Sequence, residues 1–241
     1  LAQMLADQRR NASMVNVTPQ GVGEVRYTDT SEAQQECEQF IRLRDAAPGQ
    51  FAETFMTAAS PGIITTTMMN NYYDSHENYL RAVAREMRKE YELIHRHGLL
   101  LQICCPDLAM ERSRFFKDNT LHEFQDMVSL HIDALNEALT DIPRDRVRLH
   151  VCWGNTNSPH VDDVPLEAIL PRLYEANVGA LSVELANPRH QHEYKVFRRQ
   201  PLPDDMLLIP GVIDSTVNYV EHPEVVADRI CQVVDAVGER S

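Results

Sequence analysis

The chain repeats one unit along most of its length, and this repeat restricts its fold more than any other feature. Between Thr54 and Ile213, a short apolar run is followed each time by a polar loop and an amphipathic helix. Near-continuous apolar runs are typical of parallel strands buried on both faces. The repeat therefore predicts an α/β fold with a parallel sheet, either open and doubly wound or closed into a barrel. The predicted strands are Ala52–Thr57, Leu99–Cys104, Val147–Cys152, Ala180–Leu185 and Leu207–Val212.

The helices between these strands carry start and stop signals. Thr120 and Glu123 form a capping box at one helix start, and Gly98 ends the helix before it. Pro223 lies in the first turn of the last helix. Ser31 is expected to cap an early helix. No Gly-x-Gly-x-x-Gly or Walker-type loop follows a predicted strand, which disfavours a nucleotide-binding doubly wound fold.

The two ends of the chain lie outside the repeat. Met14–Val17 and Glu24–Tyr27 flank a Pro/Gly turn, which predicts a β-hairpin. The first residue, Leu1, is not a methionine, and the last helical stripe runs almost to Ser241. We therefore expect a single barrel domain over residues 1–241 that is truncated at both ends, with about five central βα units present.

The composition excludes several classes of function. The chain has 36 acidic and 23 basic residues and a formal net charge of -13, so a nucleic-acid partner is not expected. The longest apolar stretches, such as Met206–Ile213, are far shorter than the roughly 20 residues needed to cross a bilayer. Five cysteines with no framework spacing predict reduced thiols. Together these features favour a cytoplasmic protein that acts on small molecules; they do not indicate an oligomeric state.

Three potential metal ligands stand at the ends of two neighbouring predicted strands. Alternation places His150 and Cys152 on the same side of one strand, and imidazole with thiolate is a favoured zinc donor pair. Glu184 interrupts the next apolar run, where a carboxylate is costly to bury unless it is paired or bound to a cation. The alternatives are that the His–Cys pair only packs in the core and that Glu184 pairs with Arg189 or another basic residue.

Other polar residues follow the strands and are candidates for substrate binding. Asp107 and Asp214 could hold the amine of a substrate, although aspartates in loops also cap helices and turns. Cys104 stands at a strand end, where it is either a site residue or a small apolar residue of the core. Trp153 and Asn155 directly follow the His–Cys strand and are expected to contact substrate.

These residues resemble the cobalamin-independent methionine synthase family, in its shorter one-barrel branch. The resemblance runs along most of the chain and is carried by Phe55–Gly62, Gln102–Met110, the strand from His150 to Cys152, Glu184–His190 and Ile209–Pro223. It implies a (β/α)8 barrel and a zinc ion held by His, Cys, Glu and a second Cys. His150, Cys152 and Glu184 match the first three ligands, and the fourth would follow Ser241.

The family also implies a reaction, from which this chain departs at two positions. The implied reaction is zinc-dependent transfer of a methyl group from a 5-methyltetrahydrofolate-type donor to a thiol such as homocysteine, with Asp214 among the catalytic residues. Cys104 stands where the family commonly has an aspartate for the homocysteine amine, and Thr216 stands where the full synthase has a histidine. Epoxide opening by a thiol coenzyme and a noncatalytic barrel relative are therefore the alternatives.

Overall fold

The computed structural model describes residues 18–157 and 159–238, and a parallel five-stranded sheet is its central element. The strands lie in the order β2-β4-β5-β6-β7, and all pair in parallel. Their bounds are Phe55–Ala59 (β2), Leu100–Cys104 (β4), Val147–Val151 (β5), Ala180–Glu184 (β6) and Leu207–Gly211 (β7). The predicted α/β architecture with a parallel sheet is therefore confirmed.

α-Helices connect β2 to β4, β4 to β5 and β5 to β6, as the repeat predicts, whereas only the 3-10 turn Glu193–Arg198 lies between β6 and β7. The bounds of the helices are Ser31–Asp45 (α1), Pro61–Thr67 (α2), His76–Arg96 (α3), Leu121–Ala138 (α4), Leu166–Leu173 (α5) and Pro223–Val237 (α6). The capping box of Thr120 and Glu123 is present, and Gly98 follows α3 with a positive φ of 75°. Ser31 does not cap α1; it is the first helical residue, and its N–H is bonded to Asp29. None of the described helices combines the length and apolarity that a membrane span requires.

The first strand of the sheet lies further along the chain than predicted. It runs from Phe55 to Ala59 rather than from Ala52 to Thr57, because its partner strand begins at Leu100, opposite Phe55. The other four strands start and end within one residue of their predicted bounds. Ser60 then ends β2 and caps α2 by accepting a hydrogen bond from the N–H of Ile63.

The predicted N-terminal hairpin is wrong over its described part. Met14–Val17 lies outside the described residues, and Glu24–Tyr27 is not a strand. The backbone N–H groups of Val25 and Tyr27 donate instead to the side chains of Tyr73 and Glu86, so this segment lies against α3. The short strand nearby, Gln20–Gly21 (β1), pairs in parallel with Met69–Asn70 (β3).

The two faces of the sheet differ in what they contact. Odd-numbered positions of the central strands are buried against helices α3, α4 and α5: Leu101, Ile103, Leu149, Val151, Leu181 and Val183. Even-numbered positions are only half-buried and form what we call the open face: Gln102, Cys104, Arg148, His150, Ser182 and Glu184. In a complete barrel this face would be the interior, and parallel strands bring all their carboxyl ends to one edge of it.

Candidate functional site

The three potential metal ligands lie on the open face at the carboxyl ends of β5 and β6. His150 pairs with Ser182, so the same register two residues later places Cys152 beside Glu184. Because alternate residues of a strand point to the same side, His150 and Cys152 share this face. The structure thus brings the three predicted ligands to neighbouring strands and one edge of the sheet.

Glu184 does not pair with Arg189. Its Oε1 accepts hydrogen bonds from the backbone N–H groups of Ala186 and Asn187, at 2.7 and 3.2 Å. Its Oε2 lies over Gly211, where a Cβ atom would approach it to 3.2 Å. The loop after β6 therefore fixes Oε1 of Glu184, while Oε2 points toward β7.

Burial opposes charge on all three side chains. It raises the pKa of the Cys152 thiol and of the Glu184 carboxyl, and it lowers the pKa of His150. A bound cation would instead lower the pKa of the Cys152 thiol and of the Glu184 carboxyl and so favour their charged forms. Within residues 18–157 and 159–238, however, no three His, Cys, Asp or Glu side chains converge closely enough to hold a metal ion. The imidazole, thiol and carboxylate on one face are donor types that fit zinc, but in this structure the three side chains do not converge into a coordination sphere.

Cys104 lies next to this group. It pairs with His150 across β4 and β5, and it is half-buried on the open face. Burial raises the pKa of its thiol, and a hydrogen bond with Gln102 opposes that rise. Its neighbour Cys105 is fully buried on the opposite side. Of the two adjacent cysteines, Cys104 is therefore the one placed at the candidate site.

A pocket of about 370 Å³ opens beside the strand ends. The loops after β5, β6 and β7 line it, with Asp214, Arg189 and His160 as its ionisable residues. Asp214 is only 7% exposed, and its Oδ1 accepts hydrogen bonds from both the N–H and the hydroxyl of Thr216. Asn155 is exposed close by and accepts a hydrogen bond from Ser215. Asp214 and Asn155 thus stand where the sequence places substrate-binding residues.

Asp107 is placed differently from the sequence expectation. It is 2% exposed, and its two oxygens accept hydrogen bonds from Ser60 (2.5 Å) and from Nδ1 of His131 (2.8 Å). Nε2 of His131 lies 3.1 Å from Nε2 of His76, whose pKa is lowered to about 4 by burial and by the proximity of His131. We call the hydrogen-bonded series Ser60–Asp107–His131–His76 the Asp107 relay. Because Asp107 is buried and both its carboxylate oxygens are bonded within this relay, it does not face a substrate amine.

Trp153 is also buried in the protein and does not face the candidate substrate pocket. It is 2% exposed, its Nε1 donates to the carbonyl of Val164, and its ring stacks on His190 with centroids 3.8 Å apart. His190 in turn contacts Asp163 and Glu193. The predicted substrate contact of Trp153 is therefore replaced by packing inside the loop after β5.

Sequence reasoning missed the histidines of these two groups. His131 lies on the apolar stripe of α4 between Val128 and Leu135, and a polar residue at such a position is a signal for a buried hydrogen-bonding partner. His160 and His190 stand in polar loops, where spacing carries no comparable signal. Their partners come from loops brought together only by the fold.

Comparison with known proteins places the chain beside two enzymes. Its sequence is similar to the 2-hydroxypropyl-CoM lyase of Xanthobacter autotrophicus (strain ATCC BAA-1158 / Py2), with 27% identity over 131 residues that cover 44% of this chain and 35% of the lyase. Its structure is similar to a B12-independent methionine synthase from Shewanella sp. W3-18-1, solved in complex with selenomethionine: the TM-score is 0.63 at 16% identity, over 86% of this chain and 56% of the synthase. No family model matches the chain.

The chain covers less than two thirds of either protein. The structural likeness extends over nearly all of the described residues, and it accounts for the parallel sheet with one open face. The sequence likeness is weaker and covers less of the chain. The chain therefore has the α/β-barrel fold of this methionine synthase, as an incomplete barrel, and is a distant sequence relative of the lyase.

Proposed function

We propose that this chain carries the reaction face of a zinc-dependent enzyme that alkylates a thiol. The specific reaction is transfer of a methyl group from a 5-methyltetrahydrofolate-type donor to a thiol such as homocysteine. Its partners are then two small molecules, and its compartment is the reducing cytoplasm. The observation that carries the proposal is the placement of His150, Cys152 and Glu184 on one face at the carboxyl ends of neighbouring strands.

The residues of the chain have separate parts in this reaction. His150 lies on β5 and Cys152 directly follows that strand, and Glu184 offers Oε2 because its Oε1 is bonded to the backbone of the next loop. Zinc, when bound there, supplies the positive charge that lowers the pKa of a coordinated thiol and makes it a nucleophile at neutral pH. Asp214, in the adjacent pocket, is the proposed catalytic residue and contact for the substrate.

Replacing Cys152 tests the proposal directly. Zinc content of the zinc-loaded protein is expected to fall from about one ion per chain to well below half in Cys152→Ser, because a hydroxyl is a poorer zinc ligand than a thiolate. The measurement is metal analysis after extensive dialysis. Cys231→Ser is the matched control, since Cys231 is exposed on α6. Equal zinc content in the two variants would remove Cys152 from the site.

The identity of the thiol acceptor depends on Cys104. A neutral thiol cannot pair with the ammonium group of homocysteine, and the Asp107 relay occupies Asp107, which leaves Asp214 for that purpose. Opening of an epoxide by a thiol coenzyme is the second candidate, and the similarity to an enzyme named for 2-hydroxypropyl-CoM favours it. Both candidates use the same zinc-bound thiol.

Cys104→Asp is expected to distinguish these acceptors. The new carboxylate would lie beside His150 and is expected to tighten homocysteine binding by about tenfold through a charge-assisted hydrogen bond, while an amine-free thiol gains nothing. Titration of each thiol into the cobalt-substituted protein, monitored by thiolate–metal absorption, measures both affinities. Unchanged homocysteine affinity would show that Cys104 does not face the ammonium group.

The remaining alternative is a barrel relative that binds metal without turnover. The cobalt spectrum also decides this case. A metal that is tightly bound but whose spectrum no thiol perturbs would favour a noncatalytic protein, because alkylation requires the thiol to enter the coordination sphere.

A further inference from the structure

Five side chains next to the pocket form a buried group that the proposed reaction does not use. We call it the His190 cluster, and its members are His190, Asp163, Glu193, His160 and Trp153. Nδ1 of His190 lies 2.8 Å from Oε2 of Glu193, and Nε2 lies 2.8 Å from Oδ2 of Asp163. The side chains of all three are at most 6% exposed.

Hydrogen-bond geometry fixes the protonation of His190. A neutral imidazole has one N–H and one lone pair, and a lone pair aimed at a carboxylate oxygen would be repulsive. Both nitrogens face oxygens of Asp163 and Glu193, so both donate when these two carboxyl groups are ionised. Burial by itself lowers the pKa of His190, but the hydrogen bonds to Asp163 and Glu193 outweigh it and raise that pKa.

The cluster joins two loops that line the pocket. Asp163, Trp153 and His160 belong to the loop after β5, whereas His190 and Glu193 follow β6. Glu193 also accepts the N–H of Leu166 through its other oxygen, which ties it to the first residue of α5. The cluster therefore connects the ends of two neighbouring strands through one central imidazole.

The wall of the pocket depends on this connection. His160 lines the pocket and has a φ of 53°, a backbone conformation that non-glycine residues rarely adopt. Its Nδ1 is bonded to the same oxygen of Asp163 as His190, and its Nε2 lies 2.9 Å from the carbonyl oxygen of Thr156. Asp163 therefore links His190 to His160, which forms part of the pocket wall.

We infer that His190 is held as an imidazolium at neutral pH and is the positioning residue that fixes the loop after β5, and with it the pocket wall at His160, against the loop after β6. As a determinant of the reaction pocket, this role rests on the proposed function. The ionisable groups around His190 are Asp163 and Glu193, which contact it directly, and His160, which shares Oδ2 of Asp163 with it. Glu184 interacts with it at longer range from the end of β6.

The single tryptophan of the chain reports on this charge. Trp153 stacks on the His190 ring with planes 18° apart, and an imidazolium quenches indole emission more strongly than a neutral imidazole does. Emission of the wild type is expected to be low and to show no transition near pH 6.5, where an ordinary histidine titrates. His190→Gln is expected to raise it by about twofold or more at every pH. His122→Gln, which alters a histidine exposed on α4, is the matched control and should leave it unchanged.

Either of two results would overturn the inference. One is a transition near pH 6.5 in the wild type that disappears in His190→Gln, since His190 would then titrate as an ordinary histidine. The other is emission that does not rise in His190→Gln. Should that variant fail to fold, the ring 15N shifts of wild-type His190 decide: near-equal values support an imidazolium, and widely separated values exclude it.

The positioning role has its own measurement. The amides of residues 160–164 and of Leu166 are expected to exchange with deuterium about tenfold faster in His190→Gln, while those of α3 keep their wild-type rates. Unchanged exchange in residues 160–164 and Leu166 would show that His190 does not hold this loop. None of these measurements needs zinc or a thiol, so a failure of the proposed function and a failure of this inference are separate results.

Discussion

Gly62→Ala is expected to lower the free energy of unfolding by about 2–4 kcal/mol. Gly62 lies in the first turn of α2, where helix propensity alone would make alanine better by about 1 kcal/mol. A Cβ atom at this position would overlap the carboxylate of Asp107 and Nδ1 of His131. The clash outweighs propensity because it falls on the hydrogen bond at the centre of the Asp107 relay and not on the end of a flexible side chain.

The measurement is urea unfolding followed by circular dichroism at 222 nm. Gly23→Ala is the matched control, because a Cβ atom at Gly23 meets nothing within 4 Å; its effect should stay within about 0.5 kcal/mol. A Gly62→Ala variant as stable as the wild type, or more stable, would mean that Asp107 and His131 can move apart without cost, contrary to the expected result.

How far the sequence predicts the fold depends on whether its signals are local. The apolar runs predict four strands to within one residue because each contributes a buried leucine to the core: Leu101, Leu149, Leu181 or Leu208. Strand β2 contributes only Ala58 to the buried core, and its pairing with β4 sets its limits. The hairpin fails for the same reason: Val25 and Tyr27 find hydrogen-bond partners on Tyr73 and Glu86, which are distant in sequence.

At the candidate site, too, the sequence predicts the positions that depend on local signals and not those that depend on long-range contacts. Strand alternation is sufficient to place His150 and Cys152 on one face, and the parallel register then brings Glu184 beside Cys152. Asp107 and Trp153 follow strand ends just as Asp214 and Asn155 do, and nothing in the local sequence separates the two pairs. What separates them is the set of long-range partners, such as His131 for Asp107 and His190 for Trp153.

Asp107→Ala is expected to be the most destabilising of these substitutions. Removing the carboxylate leaves the hydroxyl of Ser60 and the Nδ1–H of His131 buried without acceptors, at about 1–3 kcal/mol each, so a loss of about 3–5 kcal/mol is expected. His131 can accept from His76 through Nε2, which does not replace the missing acceptor. Asp118→Ala, an exposed aspartate in the same loop, is the matched control and should change stability by about 0.5 kcal/mol or less.

Combining the two substitutions tests the relay as a unit. Because Asp107→Ala removes the carboxylate that a Cβ atom at position 62 would overlap, the double variant Gly62→Ala/Asp107→Ala is expected to lose less stability than the sum of the single variants, by about 1–2 kcal/mol. Additive losses would mean that the two positions do not interact. If Asp107→Ala instead kept wild-type stability and weakened homocysteine binding, the carboxylate would belong to the substrate pocket, as its position after a strand end predicts, and the buried relay would not describe the protein in solution.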